Sequence, residues 1–335
     1  MTTVAHSVHV PANVAPLSLR SVRSLAGVAM LCLLMALGLA GCGQSADARV
    51  RPAGPDGWPA VLHMSYQPSE EDVEGRMDRL QEFVDYLGEK IGIPVDLVQA
   101  QGYGPTIEAM RAEKIDIART GSFAYMIAHE KAGAQAIITR GTESGGPGLY
   151  RSIIVTSPET GIGSLAELKA RSRELVFAFV DPASTSGHLI PRAGLEQQGF
   201  VPQEDFERIV FSMSHTNSAM ALVSAKVDAG AMSRTTYDRL VAAGRIAPDD
   251  LVILWESAPI PTGPIIVRAG LPEEIKERIR AAYLELNELG GPLLETLREQ
   301  AQTPDMIFYA AEDSMWDGLR EIAYKLETMQ LLERG

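Results

Sequence analysis

The chain has 335 residues, 46% of them apolar and 22% charged, and carries 30 basic against 43 acidic side chains for a net charge of −13. This length suffices for two globular domains, and the composition excludes a disordered, collagen-like or polytopic membrane protein. The acidic balance and the lack of a Lys/Arg-rich run argue against nucleic-acid binding, which needs clustered cations. Two cysteines exclude a disulfide scaffold and a Cys-based zinc or iron–sulfur site.

Residues 1–41 hold no Asp or Glu and two basic side chains, Arg20 and Arg23. The apolar run Leu25–Leu39 has the length of a secretory signal core rather than of a membrane span. It ends in Leu39-Ala40-Gly41-Cys42, which resembles a bacterial lipobox; the resemblance implies cleavage before Cys42 and lipidation of that residue. Cleavage would discard Cys32 and both arginines, leaving 28 basic against 43 acidic residues, a charge of −15. Residues 42–57 then read as a flexible tether, small, polar and Gly/Pro-bearing. The expected location is the periplasm or cell surface, with the membrane reached through the lipid anchor alone.

In chain order, Ala60–Tyr66 reads as a strand. Over 71–91, Val73, Met77, Leu80, Val84, Leu87 and Ile91 recur at helical spacing and predict one buried helix stripe. Val95–Val98 is a strand, followed by the turn Gly102-Tyr103-Gly104-Pro105, with Pro105 expected at the first helical position. A helix to about Glu113, a strand Ile115–Ala118, a helix over 121–131 and a strand Ala136–Thr139 follow. Gly141–Gly148 reads as a flexible loop. Tyr150–Thr156 is a strand, Ser164 starts a helix, and Leu175–Val180 is a strand. Helix Gly187–Gln198, strand Arg208–Ser212, helix Asn217–Ala225, strand Val227–Met232, helix 234–242 and strand Leu251–Trp255 come next. Ile265–Val267 is strand-like. The tail is helical over Pro272–Leu289, 291–300 and 313–332, the last with Met315, Leu319, Ile322, Leu326 and Met329 as its buried stripe. Strands alternating with helices indicate βα units and mainly parallel sheets. The pattern divides into two α/β lobes, 58–152 plus 263–335 and 153–262.

The strongest chemical signal is Asp181-Pro182-Ala183-Ser184-Thr185-Ser186-Gly187-His188, between an apolar strand and a helix. A strand, a polar turn and a helix N-terminus present unpaired backbone N–H groups to an anion. Three consecutive hydroxyls exceed what helix capping needs. Ser214-His215-Thr216-Asn217 repeats the arrangement at a second strand end, where open α/β sheets bind ligands. Tyr103 and Thr120-Gly121-Ser122 are further candidates. Gly145-Gly146-Pro147-Gly148 lacks a P-loop ending. Ser184, His215 and Asp228 could form a hydrolase triad, but no G-x-S-x-G elbow accompanies them. The six histidines show no metal-binding spacing.

Phe177–Gly187 resembles the D-P-x-S-T-S-G signature of the phosphonate/phosphite-binding proteins, the periplasmic substrate-binding components of ABC transporters. Ser214–Ala219, Gly102–Ile107, Ile115–Ala118, Val227–Gly230 and Ile260–Pro264 resemble its other landmarks, so the likeness spans about 60–310. The resemblance implies a two-lobed, type II-like binding-protein clamp with mainly parallel sheets flanked by helices and the ligand in the interlobe cleft. It assigns Tyr103, Ser184, Thr185, Ser186 and His215 to an oxyanion; Thr120 stands where relatives often carry an aromatic. Thr235 and Gly263 stand where aminoalkylphosphonate binders carry acidic residues. The expected function is a lipid-anchored solute-binding protein for phosphite, phosphate or a short alkylphosphonate, monomeric, without cofactor or catalysis, docking on a permease. The alternatives are an oxyanion sensor signalling to a membrane histidine kinase, and a secreted esterase.

Overall fold

The apolar strands gather into two sheets bridged by a short ribbon. The computed structural model describes residues 57–66, 73–100, 102–301 and 303–326. The signal segment 1–41, Cys42 and the tether through residue 56 lie outside the described residues, as does Met329.

The first sheet is built from β1 (Leu62–Tyr66), β2 (Val95–Gln99), β3 (Ile117–Arg119), β4 (Gln135–Thr142) and β5 (Gly146–Pro147), with two strands from far along the chain, Ile265–Val267 and Met306–Ala310. β1 pairs in parallel with β2 and β3, with Met64 opposite both Leu97 and Ile117. The other pairings of this sheet are antiparallel. Helix α1 (Val73–Ile91) covers one face: Val84, Leu87 and Ile91 are fully buried with Leu62. Fully burying each such side chain contributes about 1.5–3 kcal/mol. Helix α2 (Tyr103–Arg111) and α3 (Ser122–Ala132) cover the other face. α2 starts at Tyr103, two residues before Pro105, which is therefore not the first helical residue as expected but the third, still in the first turn where its missing N–H has no partner to lose.

Gly141–Gly148 is not the open loop expected. β5 pairs back on β4 as a hairpin, Gly141 opposite Pro147, and the Gly148 N–H donates to the Arg140 carbonyl at 2.8 Å. A Cβ on Gly141 would lie 2.0 Å from the Gly146 carbonyl oxygen, so the close approach of the two backbones requires glycine there.

The expected strand Tyr150–Thr156 breaks at Arg151. β6 (Leu149–Tyr150) belongs to the ribbon, and β7 (Ser152–Thr156) enters the second sheet. The second sheet adds β8 (Val176–Phe179), β9 (Arg208–Phe211), β10 (Ala229–Ser233) and β11 (Val252–Glu256), in the order β11-β7-β10-β8-β9. β8, β9 and β10 run parallel; β7 is antiparallel to both its neighbours, β10 and β11. Both sheets are thus mixed, a parallel βα centre with antiparallel strands added. α4 (Leu165–Arg171), α5 (Ile190–Gln197) and the short α6 (Pro202–Asp205) lie beside this sheet in the chain, with α7 (His215–Val223) and α8 (Arg234–Ala242). Leu222 and Leu240 pack with Ile153 and Val155, while Phe177, Phe179, Phe200 and Phe206 fill the other face.

β12 (Ile260–Pro261) pairs with β6 and completes the ribbon; β13 (Ile265–Val267) then re-enters the first sheet. α9 (Glu273–Leu289) buries Ile275, Ile279 and Tyr283 against the α1 side, and α10 (Gly291–Ala301) follows. β14 (Met306–Ala310) was not expected; it pairs with β4 at the edge of the first sheet. The predicted helix 313–332 is a 3₁₀ turn, Asp313–Trp316, followed by α11 (Asp317–Lys325). Trp316 is buried and its indole N–H donates to the Thr262 carbonyl, so the tail holds the strand that crosses between the sheets.

Candidate functional site

The parallel strands β8, β9 and β10 end at one edge of the second sheet, and each runs into a helix start capped by serine. Ser184 Oγ accepts from the Gly187 N–H at 3.0 Å, Ser214 Oγ from Asn217 N–H at 3.0 Å, and Ser233 Oγ from Thr236 N–H at 3.1 Å. The caps fix each entry angle and aim the helix N-termini toward this edge. In the first sheet the ends of β2 and β3 lead into α2 and α3, whose N-terminal positions Gly102 and Gly121 carry no side-chain cap.

The two edges meet. The Phe123 N–H in the first turn of α3 donates to Thr185 Oγ1 at 2.8 Å, both groups buried. A Cβ built on Gly121 would lie 3.3 Å from Thr185 Oγ1 and 3.4 Å from the Tyr103 hydroxyl, which puts those two hydroxyls around the same turn. Tyr103 begins α2 and is buried. Burial pushes the pKa of the Tyr150 phenol up, and the Ser186 and Thr185 hydroxyls partly offset that rise. Ser184, Thr185 and Ser186 are all essentially inaccessible. The segment Thr185–Leu189 is a π-helical turn rather than the start of an α-helix, which crowds hydroxyls and backbone N–H groups into one turn.

His215 is the first residue of α7, buried, and its Nδ1 accepts from the Ser233 N–H at 3.1 Å. A backbone donor at Nδ1 puts the ring proton of the neutral imidazole on Nε2. Thr120 lies in the turn between β3 and α3; its N–H donates to the Pro264 carbonyl at 3.1 Å. Its Oγ1 is buried with no hydrogen-bond partner among the described residues.

Asp181 is buried beside this cluster, one carboxylate oxygen accepting from the Ala183 N–H at 2.7 Å; burial pushes its pKa up, partly countered by that bond. Hydroxyls, an imidazole and helix N-termini thus converge, groups that donate to an oxyanion without bringing a full positive charge.

Asp228 does not join Ser184 and His215. Its Oδ2 accepts from the Val176 N–H, at the start of β8, whereas Ser184 and His215 follow strand ends. A four-residue strand separates those edges by about 13 Å, so the triad arrangement does not form. His188 sits in the π-turn with its ring against Phe179 and Phe211, its Nδ1 on the Pro182 carbonyl.

Sequence reasoning missed Tyr150 and the Phe123 N–H. Tyr150 was hidden in an expected strand; its position at the crossing between the two sheets was the available signal. The backbone N–H has no signature of its own. At the two positions where the resemblance implied missing carboxylates, Thr235 is exposed and Gly263 packs on the Thr120 backbone.

Comparisons with known proteins agree with this architecture. The Phosphonates-binding periplasmic protein of Escherichia coli is 30% identical over 197 residues, 59% of this chain and 58% of that protein's length. A phosphate-import protein of Mycolicibacterium smegmatis is 28% identical over 243 residues, covering 69% of this chain and 73% of that one. The crystal structure of a binding protein component of an ABC phosphonate transporter from Pseudomonas aeruginosa superposes with a TM-score of 0.72 at 25% identity, over 81% of this chain and 88% of that one. The fold is that of a two-domain periplasmic binding protein. The model of the ABC-transporter phosphonate periplasmic substrate-binding protein family matches residues 65–305, and the chain belongs to that family.

Proposed function

We propose that this chain is the solute-binding protein of an ABC transporter and captures a small phosphorus oxyanion: phosphite, phosphate or a short alkylphosphonate. The observation that carries the reading is the bond from Phe123 N–H to Thr185 Oγ1, which draws the hydroxyl-rich turn of one lobe onto a helix N-terminus of the other. Tyr103, Thr120, Ser184, Thr185, Ser186 and His215 are the proposed contacts. The names of the relatives support the ligand class: one is a phosphonate binder, another a phosphate importer.

Hydrogen bonds to a charged group contribute roughly 1.5–3 kcal/mol each. Four or five of them, less the costs of closure and ordering, support micromolar binding or tighter, about −8 kcal/mol. A net charge of −13 does not oppose this, because bulk charge is screened within about 8–10 Å. Lobes 58–152 with 263–335 and 153–262 would close about the two crossings of the ribbon, and the closed form would dock on a permease. Cys42 would carry the lipid that holds the protein at the membrane. The site performs no catalysis in this reading.

The test is calorimetric titration and thermal shift with phosphite, phosphate and methylphosphonate. A ligand at about 100 times its Kd adds roughly 2.7 kcal/mol of stability. Small-angle scattering should show a smaller radius of gyration at saturation. Lack of binding to all three anions, or turnover of chromogenic phosphoesters that Ser184→Ala abolishes, would overturn the reading.

A further inference from the structure

A carboxylate stands among the donors of the cleft. Asp181 follows β8 and opens the hydroxyl-rich turn: its carbonyl accepts from the Ser184 N–H at 2.9 Å and its Oδ1 from the Ala183 N–H at 2.7 Å. Oδ2 has no hydrogen-bond partner among the described residues, and no cation pairs with the carboxylate there. That oxygen faces the first lobe, 3.9 Å from where a Cβ on Gly102 would be. Gly102 is the N-cap of α2 and supplies no side-chain cap; its φ of 135° disfavours the serine or aspartate that would normally do so. The acid therefore lies at the helix start that holds Tyr103 and on the turn that carries Thr185. The hydroxyls of those two residues share the Gly121 turn.

Asp181 is 7% exposed. A carboxylate so dehydrated, with no cation beside it, is unfavourable in its charged form. Burial accordingly raises its pKa above the ordinary 3.8, and the Ala183 N–H offsets only part of the rise. The charged groups on the surrounding elements are engaged elsewhere. β7, β8 and β10 carry no titratable side chain. Arg192 and Glu196 of α5 pair with one another at 2.8 Å, as Glu108 and Arg111 of α2 do at 2.7 Å. The Tyr125 hydroxyl of α3 donates to Asp313, and His129, Glu130 and Lys131 lie at the far end of that helix. His188 places Nδ1 on the Pro182 carbonyl, and burial lowers its pKa to about 4, so it stays neutral above that pH. Tyr103, Tyr150 and His215 are the other titratable groups at the cleft.

An oxyanion bound at Tyr103 and Thr185 brings a second negative charge to the same place. Two like charges in a mostly dehydrated site oppose each other, and the acid relieves this by taking a proton from solvent. The N-terminus of α2, equivalent to about half a positive charge, offsets even one of them only in part. We propose that Asp181 is the proton gate of the cleft: its carboxylate takes up a proton when the oxyanion binds, so the protein captures anion and proton together. This rests on the oxyanion reading above and adds a regulatory residue to that site. The bound form holds more protons than the free form, so affinity rises as pH falls toward the ordinary carboxylate range, and Asp181 opposes binding wherever it stays ionised.

The test is calorimetric titration of the full-length protein with the tightest binder among phosphite, phosphate and methylphosphonate. It is run at pH 5, 6, 7 and 8 on wild type, Asp181→Asn and Asp181→Ser, each in two buffers of different ionisation heat. Both variants keep an acceptor for the Ala183 N–H and lack the charge. At pH 8 they should bind the anion at least about tenfold tighter than wild type, the effect of one pKa unit, and the gap should close toward pH 5. Across that window wild type should take up as much as about one proton more per bound anion than either variant. His215 and the anion itself can also exchange protons, but they are present in all three proteins, so the difference reports Asp181. Should one variant melt well below wild type, the other decides. Variants that bind no tighter than wild type at pH 8, or that take up the same number of protons, overturn the gate while leaving the oxyanion reading standing. Absence of binding to all three anions overturns both.

Discussion

Phe123 and Thr185, 62 residues apart, join the two lobes by a buried hydrogen bond in which the Phe123 N–H donates to Thr185 Oγ1 at 2.8 Å. The same hydroxyl helps offset the rise that burial causes in the pKa of the Tyr150 phenol, at the crossing between the lobes. One side chain thus ties the hydroxyl-rich turn of the second lobe to a helix start of the first.

Thr185→Val should therefore be costly twice. It removes the acceptor for a buried N–H, worth about 1–3 kcal/mol, and a donor to the proposed ligand. Truncating a donor to a buried anion costs about 2–5 kcal/mol, so affinity for the best phosphorus oxyanion should fall about 30-fold or more. His215→Ala should fall comparably, and Thr185→Ser should recover most of its loss. Calorimetry on the three variants checks this; wild-type affinity in Thr185→Val and His215→Ala together would remove both from the site.

Much of the scaffold is legible in the sequence because it is written locally. The helix at 234–242 and the strand Ile265–Val267 fall where predicted, and the α1 stripe at Leu80, Val84, Leu87 and Ile91 faces the core. What escaped depends on distant chain. β14 shows no alternation and exists because β4 offers it an edge about 170 residues away; that separation follows from Tyr309 pairing with Thr139. The Gly141–Gly148 hairpin looked like a loop because its glycines serve close backbone approach rather than flexibility. The turns around Ser184 and His215 stand out as strand-to-helix hydroxyl runs. The role of Phe123 rests on a backbone N–H, which every residue except proline possesses.

His188 makes stability pH-dependent. Burial lowers its pKa from 6.5 to about 4, opposed in part by the Pro182 carbonyl and reinforced by Arg192. Between those values the unfolded chain binds a proton that the folded chain refuses, so stability rises with pH across the window. As pH falls from 6.5 toward 4, this one group should remove up to about 3 kcal/mol, with no further loss below. His188→Gln lacks the titration, and its stability relative to wild type should improve as pH falls from 7 to 4. Urea melts at several pH values measure this; a pH-independent difference between the two proteins would rule the mechanism out.

Asp116 and Arg268 tie β3 to the strand beside it. Asp116 is fully buried; Oδ1 accepts from Arg268 Nε at 2.7 Å and Oδ2 from the His63 N–H at 2.8 Å. Removing one partner strands a buried charge, so Arg268→Met should destabilise by about 3–5 kcal/mol. Adding Asp116→Asn should recover part of that loss, because the neutral amide tolerates the missing cation. Equilibrium urea denaturation of the single and double variants tests it; an Arg268→Met as stable as wild type would make the pair energetically irrelevant.

A ligand bearing an ammonium group tests the cleft's charge rather than its size. An unpaired buried cation is expensive, so an aminoalkyl arm needs a carboxylate at hand. Gly263 cannot carry one, because any Cβ there collides with the Thr120 carbonyl. Thr235 is exposed and neutral. Asp238 and Glu256, the acids nearest in sequence to those positions, are both engaged: Arg234 holds Asp238 and Glu256 at 2.8 Å each, and Arg151 lies 3.2 Å from Glu256. Asp181 lies at the cleft, but burial raises its pKa and favours its neutral form, and one of its oxygens already serves the Ala183 N–H. We therefore expect 2-aminoethylphosphonate to bind at least about tenfold more weakly than the best compact anion, a gap of about 1.4 kcal/mol. Calorimetric titration of it and of phosphite in one buffer gives the comparison. Nanomolar binding of the amino compound would sink the expectation, and the same titration on Asp181→Asn and Glu256→Gln would then identify the acid that neutralises it.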